Sequence, residues 1–173
     1  MTGVAADPLH RLRINAADLL RHPGAERRID ATFTADELGA GHPHVAGAID
    51  LDLVARSTID GVVVTGTISV PWRAACRRCL AEVSGVVVAE VDELFRGEPD
   101  DEEAEPIVGD QIDLAPVVRQ TVLLEMPEAP LCREDCAGIC PVCGADRNID
   151  PCDCDTSVRD ERWAVLDDLD LDE

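Results

Sequence analysis

Apolar side chains in the first half of this chain tend to recur at every second position, the period of a half-buried strand. Residues 9–14 roughly alternate and predict a first strand. Asn15 is placed to cap a short helix through Leu20, closed by Pro23-Gly24. Residues 27–33 alternate weakly and are expected to pair with the first strand. Asp36 to Leu38 is too short to assign. The clearest β signal follows, with Ile49, Leu51 and Leu53 in residues 45–57. Asp60-Gly61 then supplies a hairpin turn. Residues 61–72 carry Val62, Val64, Ile68 and Val70, and residues 83–95 return with Val86, Val87, Val88, Val91 and Leu94. The pattern predicts a meander with the segment Cys76-Arg77-Arg78-Cys79-Leu80 at or near a hairpin end.

The period then changes. Residues 96–109 contain the run EPDDEEAEP, which is acidic, twice interrupted by proline and almost free of apolar side chains, so it predicts a mobile linker. Residues 110–126 follow helical spacing, with Asp113 as a candidate cap and Pro116 in the first turn. Leu123 and Leu124 widen its apolar face and predict burial against the sheet. Pro127 and Pro130 end the helix. A last amphipathic helix is expected around Trp163, Val165, Leu166 and Leu169, with an acidic end that opposes the helix dipole. The expected fold is α+β: an antiparallel β-meander or partly open barrel, one packed helix and a cysteine-rich zinc-binding C-terminal segment. The expected division is a β-rich domain over 1–96 carrying the first CxxC, an acidic linker over 97–109, and a helical and cysteine-rich part over 110–173.

Composition narrows the functional classes. Two Phe, two Trp and no Tyr leave the core to Val, Leu, Ile and Ala. The net charge of −21 is unevenly placed: residues 1–96 hold 13 acids and 10 arginines, residues 97–173 hold 23 acids and 5 arginines, and there is no Lys. Such a field repels phosphates at long range and attracts basic proteins. No apolar run of signal-peptide type or of membrane-spanning length occurs, so a cytoplasmic, membrane-free protein is expected. Phosphate-loop, dinucleotide and serine-elbow motifs are absent, and no small-molecule substrate is expected. His10, His22, His42 and His44 lie far in sequence from the tail cysteines and read as surface or turn residues. Acid pairs such as Asp167-Asp168 read as solvated charge.

Eight cysteines remain: Cys76, Cys79, Cys132, Cys136, Cys140, Cys143, Cys152 and Cys154. Density of this kind serves disulfides or metal cages. The turn Cys140-Pro141-Val142-Cys143-Gly144 favours metal. Its two thiolates fall on one side of a tight bend, Pro141 fixes φ, and Gly144 accepts a positive φ. One or two structural Zn²⁺ ions are expected. The simplest partition is Cys140, Cys143, Cys152 and Cys154 for one ion and Cys76, Cys79, Cys132 and Cys136 for another. A single tail site with some thiols free is the alternative. Cages of four cysteines are closed, so the chain is not expected to be an enzyme.

Several motifs in order resemble the YceD family, also called large ribosomal RNA subunit accumulation proteins. They are Cys76-Arg77-Arg78-Cys79-Leu80, the Asp113-Leu114 helix ending LLEMP, the run from Leu131 through Cys143-Gly144 to Asn148, and Arg162-Trp163-Ala164-Val165-Leu166. The match is to the Gram-positive or actinobacterial branch with a cysteine-rich C-terminus. Arg147 stands where that pattern has Leu. The resemblance implies a role in large-subunit assembly and 23S rRNA accumulation, through a basic large-subunit ribosomal protein or through 23S rRNA itself. Arg73, Arg77 and Arg78 are the candidate RNA contacts; their other reading is charge balance beside a thiolate cage of formal charge about −2. The competing functions are a zinc-stabilised protein-interaction module unrelated to ribosomes and a CxxC redox protein.

Overall fold

The computed structural model describes residues 7–97 and 104–156, together with Arg162 and Ala164. The expected C-terminal helix and most of the run EPDDEEAEP lie outside the described residues. The chain forms two compact units. The first comprises residues 1–74 and 82–128, and the second comprises residues 75–81 and 129–173. This partition crosses the boundaries drawn from sequence, because the CRRCL segment belongs with the tail rather than with the strands on either side of it.

The first unit opens with a 3-10 turn, Pro8–Leu12, where a strand was expected. Asp7 accepts a hydrogen bond from the N–H of Leu9, and Pro8 starts the turn with its φ already set. Only Arg13–Asn15 is extended (β1). Asn15 caps α1 (Ala16–Leu20), its side-chain oxygen accepting from the N–H of Asp18 at 3.2 Å. Strand β2 (Glu26–Phe33) pairs with β3 (Ile49–Ser57) rather than with β1. Between them lies α2 (Ala35–Leu38), held by a capping box in which Thr34 and Glu37 satisfy each other's N–H groups. Strands β4 (Val62–Ala75) and β5 (Glu82–Arg96) complete the meander. A two-residue strand β6 (Glu105–Pro106) adds to β5 in parallel, so the end of the expected linker is ordered by pairing. Sheet order is β2-β3-β4-β5-β6, and the sheet is not closed.

Residues 111–113, expected in the helix, form β7 (Gln111–Asp113) and pair with β1. Helix α3 spans Ala115–Glu125, and Asp113 accepts from the N–H of Ala115 at 3.0 Å. Val117, Val118 and Val122 are buried on its inner side, but Leu123 and Leu124 are exposed, against expectation. The helical period turns Leu123 away from Val118 and Val122, whereas Leu124 shares the side of Val117 near the helix end. Alternate residues of β2 and β3, including Ile29, Phe33, Ile49, Leu51 and Leu53, meet Ile112, Leu114 and α3 in one apolar core. No described helix is long and apolar enough to cross a membrane.

Candidate metal centres

The second unit is built on two turns of the same design. In Cys76–Leu80, the N–H of Leu80 bonds to the carbonyl of Cys76 at 2.9 Å, and the N–H of Cys76 bonds to the carbonyl of Ala81 at 2.8 Å. In Cys140–Gly144, the N–H of Gly144 bonds to the carbonyl of Cys140 at 2.9 Å, and the N–H of Cys140 bonds to that of Ala145 at 2.8 Å. The fifth residue of each turn is left-handed, with φ 62° at Leu80 and 77° at Gly144. Leu80 adopts this conformation despite its Cβ, and it has no glycine's ease there. The matching frames show that CRRCL and CPVCG are one structural device written in different residues.

Each turn is completed by two further cysteines. Cys76, Cys79, Cys132 and Cys136 form one tetrad; Cys140, Cys143, Cys152 and Cys154 form the other, with all sulfurs of a tetrad within 4.8 Å of one another. The structure thus brings together the sets of four that the spacing suggested. In the first tetrad, Cys79 Sγ lies 3.6 Å from Cys132 Sγ, and Cys76 Sγ lies 3.8 Å from Cys136 Sγ. A tetrahedral ion with sulfurs at about 2.3 Å sets sulfur–sulfur edges of about 3.8 Å, whereas a disulfide would bring the pair to about 2.05 Å. All eight cysteines are free. The donor set and its spacing fit a metal ion in each tetrad.

Backbone donors prepare the first cysteine of each turn. The N–H of Cys79, then that of Arg78, holds the Cys76 thiol down to about 6, against the opposing effect of burial. The N–H groups of Cys143 and Val142 do the same for Cys140, also to about 6. Cys132 is pushed up to about 12, first by the proton shared with Cys136, and Cys154 is pushed up to about 12, first by Cys143. Four clustered sulfurs cannot all ionise unless a cation replaces the shared protons.

A family model described as "Large ribosomal RNA subunit accumulation protein YceD" matches residues 64–170. The chain belongs to the YceD family. The matched stretch contains every cysteine of both tetrads. An uncharacterized protein of Mycobacterium bovis is 35% identical, with 90% of this chain and 79% of the relative covered. An uncharacterized protein of Mycobacterium tuberculosis gives the same values. One from Mycobacterium leprae is 33% identical, with 70% of this chain and 58% of the relative covered. No solved structure matches significantly.

The three arginines singled out from sequence are not equivalent. Arg78 Nη1 donates to the carbonyls of Glu134 and Cys136, at 3.1 and 2.9 Å, which ties the first turn to the segment bearing Cys136. Arg73 lies 3.8 Å from the Glu82 carboxylate. Arg77 is exposed, and among the described residues only its backbone is engaged, by the carbonyl of Pro130. Two features were missed. One is a groove of about 240 Å³ on the first unit, lined by His10, Arg11, Arg27, Arg28, Ile29, Asp30 and Ala31; its basic residues are separated in sequence and meet where the 3-10 turn packs on β2, Arg11 donating to the Thr32 carbonyl at 2.8 Å. The other is Asn148, which was noted in the family pattern but given no role there. Its Nδ2 donates to Cys136 Sγ at 3.5 Å.

Proposed function

We propose that this chain is a non-enzymatic, cytoplasmic factor in large ribosomal subunit biogenesis that supports accumulation of 23S rRNA. Each cysteine tetrad holds one structural Zn²⁺, and the folded protein binds a basic large-subunit ribosomal protein. The observation that carries the role is the family match over residues 64–170. Zinc is favoured by two all-sulfur sets of four donors, each with its sulfurs within 4.8 Å of one another; four thiolates suit a closed structural site. A protein partner is favoured over RNA by the −21 charge, which attracts a basic surface and repels phosphate.

Affinity capture of the tagged chain from nuclease-treated extract, with metal analysis of the purified protein, tests this reading. A basic large-subunit protein is expected in the capture, with two zinc ions per chain. If capture yields no ribosomal protein, while the purified chain binds rRNA at physiological salt, the protein-partner reading is overturned. Arg77 and the Arg11, Arg27 and Arg28 groove would then be the first residues to substitute.

A further inference from the structure

We infer that the Asn148 side chain is a positioning group that couples the two tetrads, so that metal in the Cys140 tetrad strengthens metal binding in the Cys76 tetrad. The inference rests on the reading that both tetrads hold metal. It concerns how the second is wired to the first.

Both halves of the Asn148 amide are fully engaged. Nδ2 donates one hydrogen to Cys136 Sγ at 3.5 Å and the other to Asp146 Oδ1 at 2.7 Å. Oδ1 accepts from the N–H of Ala137 at 2.8 Å and from Arg133 Nη2 at 2.7 Å. A primary amide offers two donors and two acceptor lone pairs, and here each has a partner. Ala137, Cys136 and Arg133 belong to the stretch that supplies the third and fourth ligands of the first tetrad. Asp146 and Asn148 lie within the loop that the second tetrad closes between Cys143 and Cys152. That loop is held at its near end by the bond from the Cys140 N–H to the Ala145 carbonyl, and by the bond from the Arg147 N–H to the Gly138 carbonyl, at 2.8 and 2.9 Å. With the second ion in place, both ends of residues 144–151 are pinned and the amide is presented to Cys136. Without it, the chain beyond Gly144 loses its anchor at Cys152 and Cys154.

A donor to a ligating sulfur matters because four thiolates around a divalent ion leave formal charge of about −2, which N–H groups offset. The first tetrad has backbone donors of this kind: the N–H groups of Cys79 and Arg78 face Cys76 Sγ, the latter at 3.5 Å, that of Ala81 faces Cys79, and that of Gly138 faces Cys136. Asn148 is the side-chain donor to that tetrad among the described residues.

The test uses the full chain loaded with Zn²⁺, or with Co²⁺ for its thiolate charge-transfer bands. Release to a chromophoric chelator is followed with time, and the phase missing in Cys76→Ser/Cys79→Ser identifies the first tetrad. Asn148→Asp keeps the oxygen that accepts from Ala137 and Arg133 but removes the donor to Cys136. It should speed release from the first tetrad by about 10- to 100-fold, shift its Co²⁺ bands and leave the other phase unchanged. In a Cys152→Ser/Cys154→Ser background that release should already be fast, and adding Asn148→Asp should change it little. If Asn148→Leu accelerates release but Asn148→Asp does not, the residue is only a framework support and the inference is overturned. Full additivity of the two sets of substitutions overturns the coupling. Two ions per wild-type chain with a silent Asn148→Asp sinks this inference alone. No ions in the wild type sinks the metal reading as well.

Discussion

Metal removal should unfold one unit and spare the other. Among the described residues of the second unit, those that are buried are Cys76, Cys79, Cys136 and Cys140, with Gly138 beside them. Every member of the apolar core lies in the first unit, from Leu12 to Met126. Hydrophobic burial therefore contributes almost nothing to ordering residues 129–156. A structural four-thiolate zinc contributes about 10–16 kcal/mol of apparent binding free energy at neutral pH, and in such modules that free energy is the folding free energy. Stripping two ions from a unit without an apolar core leaves it with local hydrogen bonds worth about 1 kcal/mol each. The first unit keeps its sheet and helix, with a stability of about 5–15 kcal/mol in the ordinary range for a domain. The assay is hydrogen–deuterium exchange by mass spectrometry, under reductant, before and after a strong chelator. Amides over residues 76–81 and 132–152 should exchange at nearly unprotected rates once metal is lost. Amides of β3 and β4 between 50 and 69 should keep their protection. Retained protection over 132–152 after stoichiometric metal loss would refute the argument, since no other described interaction in that unit is large enough to hold it.

Smaller perturbations separate local causes. Gly138→Ala should cost about 1–2 kcal/mol for a left-handed residue with a side chain, plus a further penalty because the new Cβ would stand 3.0 Å from the Arg78 carbonyl. Gly144→Ala shares the backbone strain but meets nothing within 4 Å, so metal-release rates should rank Gly138→Ala as the worse lesion. Phe33→Ala removes a ring that is 1% exposed and lies 4.6 Å beneath the Arg11 guanidinium. It should destabilise the first unit by about 3–5 kcal/mol in urea unfolding, with zinc content unchanged. Thr34→Ala opens the capping box at a cost of about 1 kcal/mol. The N–H of Thr34, then its hydroxyl, holds the Glu37 carboxyl below its ordinary value of 4.5. The stability this adds is present above the ordinary carboxylate range and fades as pH falls through the lowered value. NMR titration should therefore find Glu37 shifted upward in Thr34→Ala.

Local spacing carried the sulfur chemistry because a CxxC turn is complete within five residues. The partition into tetrads was legible for a related reason: Cys140, Cys143, Cys152 and Cys154 fall within one short segment, which leaves the other four for each other. Periodicity also placed β3, β4 and β5, whose apolar residues alternate cleanly. It failed where pairing is remote. Ile112 sits opposite Ile14, and no local pattern tells a reader that residues 111–113 extend to meet a strand almost a hundred positions earlier. The 3-10 turn at Pro8–Leu12 had a visible signal in Asp7-Pro8, which outweighed the alternation of Leu9 to Ile14. Thr34-Ala35-Asp36-Glu37 likewise spelled a capping box that brevity concealed. Asn148 was beyond reach, because its four partners are fixed only once the Cys136 and Asp146 segments lie side by side.

The placement of the first CxxC explains why the chain spends eight cysteines. Cys76 and Cys79 lie in the six residues that join β4 to β5, yet they complete a tetrad with Cys132 and Cys136, more than fifty positions away. In the metal-free chain, the hydrogen bonds from Arg77, Arg78 and Ile139 are what would hold that loop to the tail among the described residues. An ion bound by all four sulfurs turns that weak association into a cross-link. A closed cage presents no open coordination position, so its effect is felt through the surface it fixes. That surface includes exposed Leu80, Val142 and Ile149 close in sequence to the ligands. A partner that recognises the second unit would therefore lose its target on chelation. A partner that recognises only the sheet would not, and comparing capture with and without chelator distinguishes them.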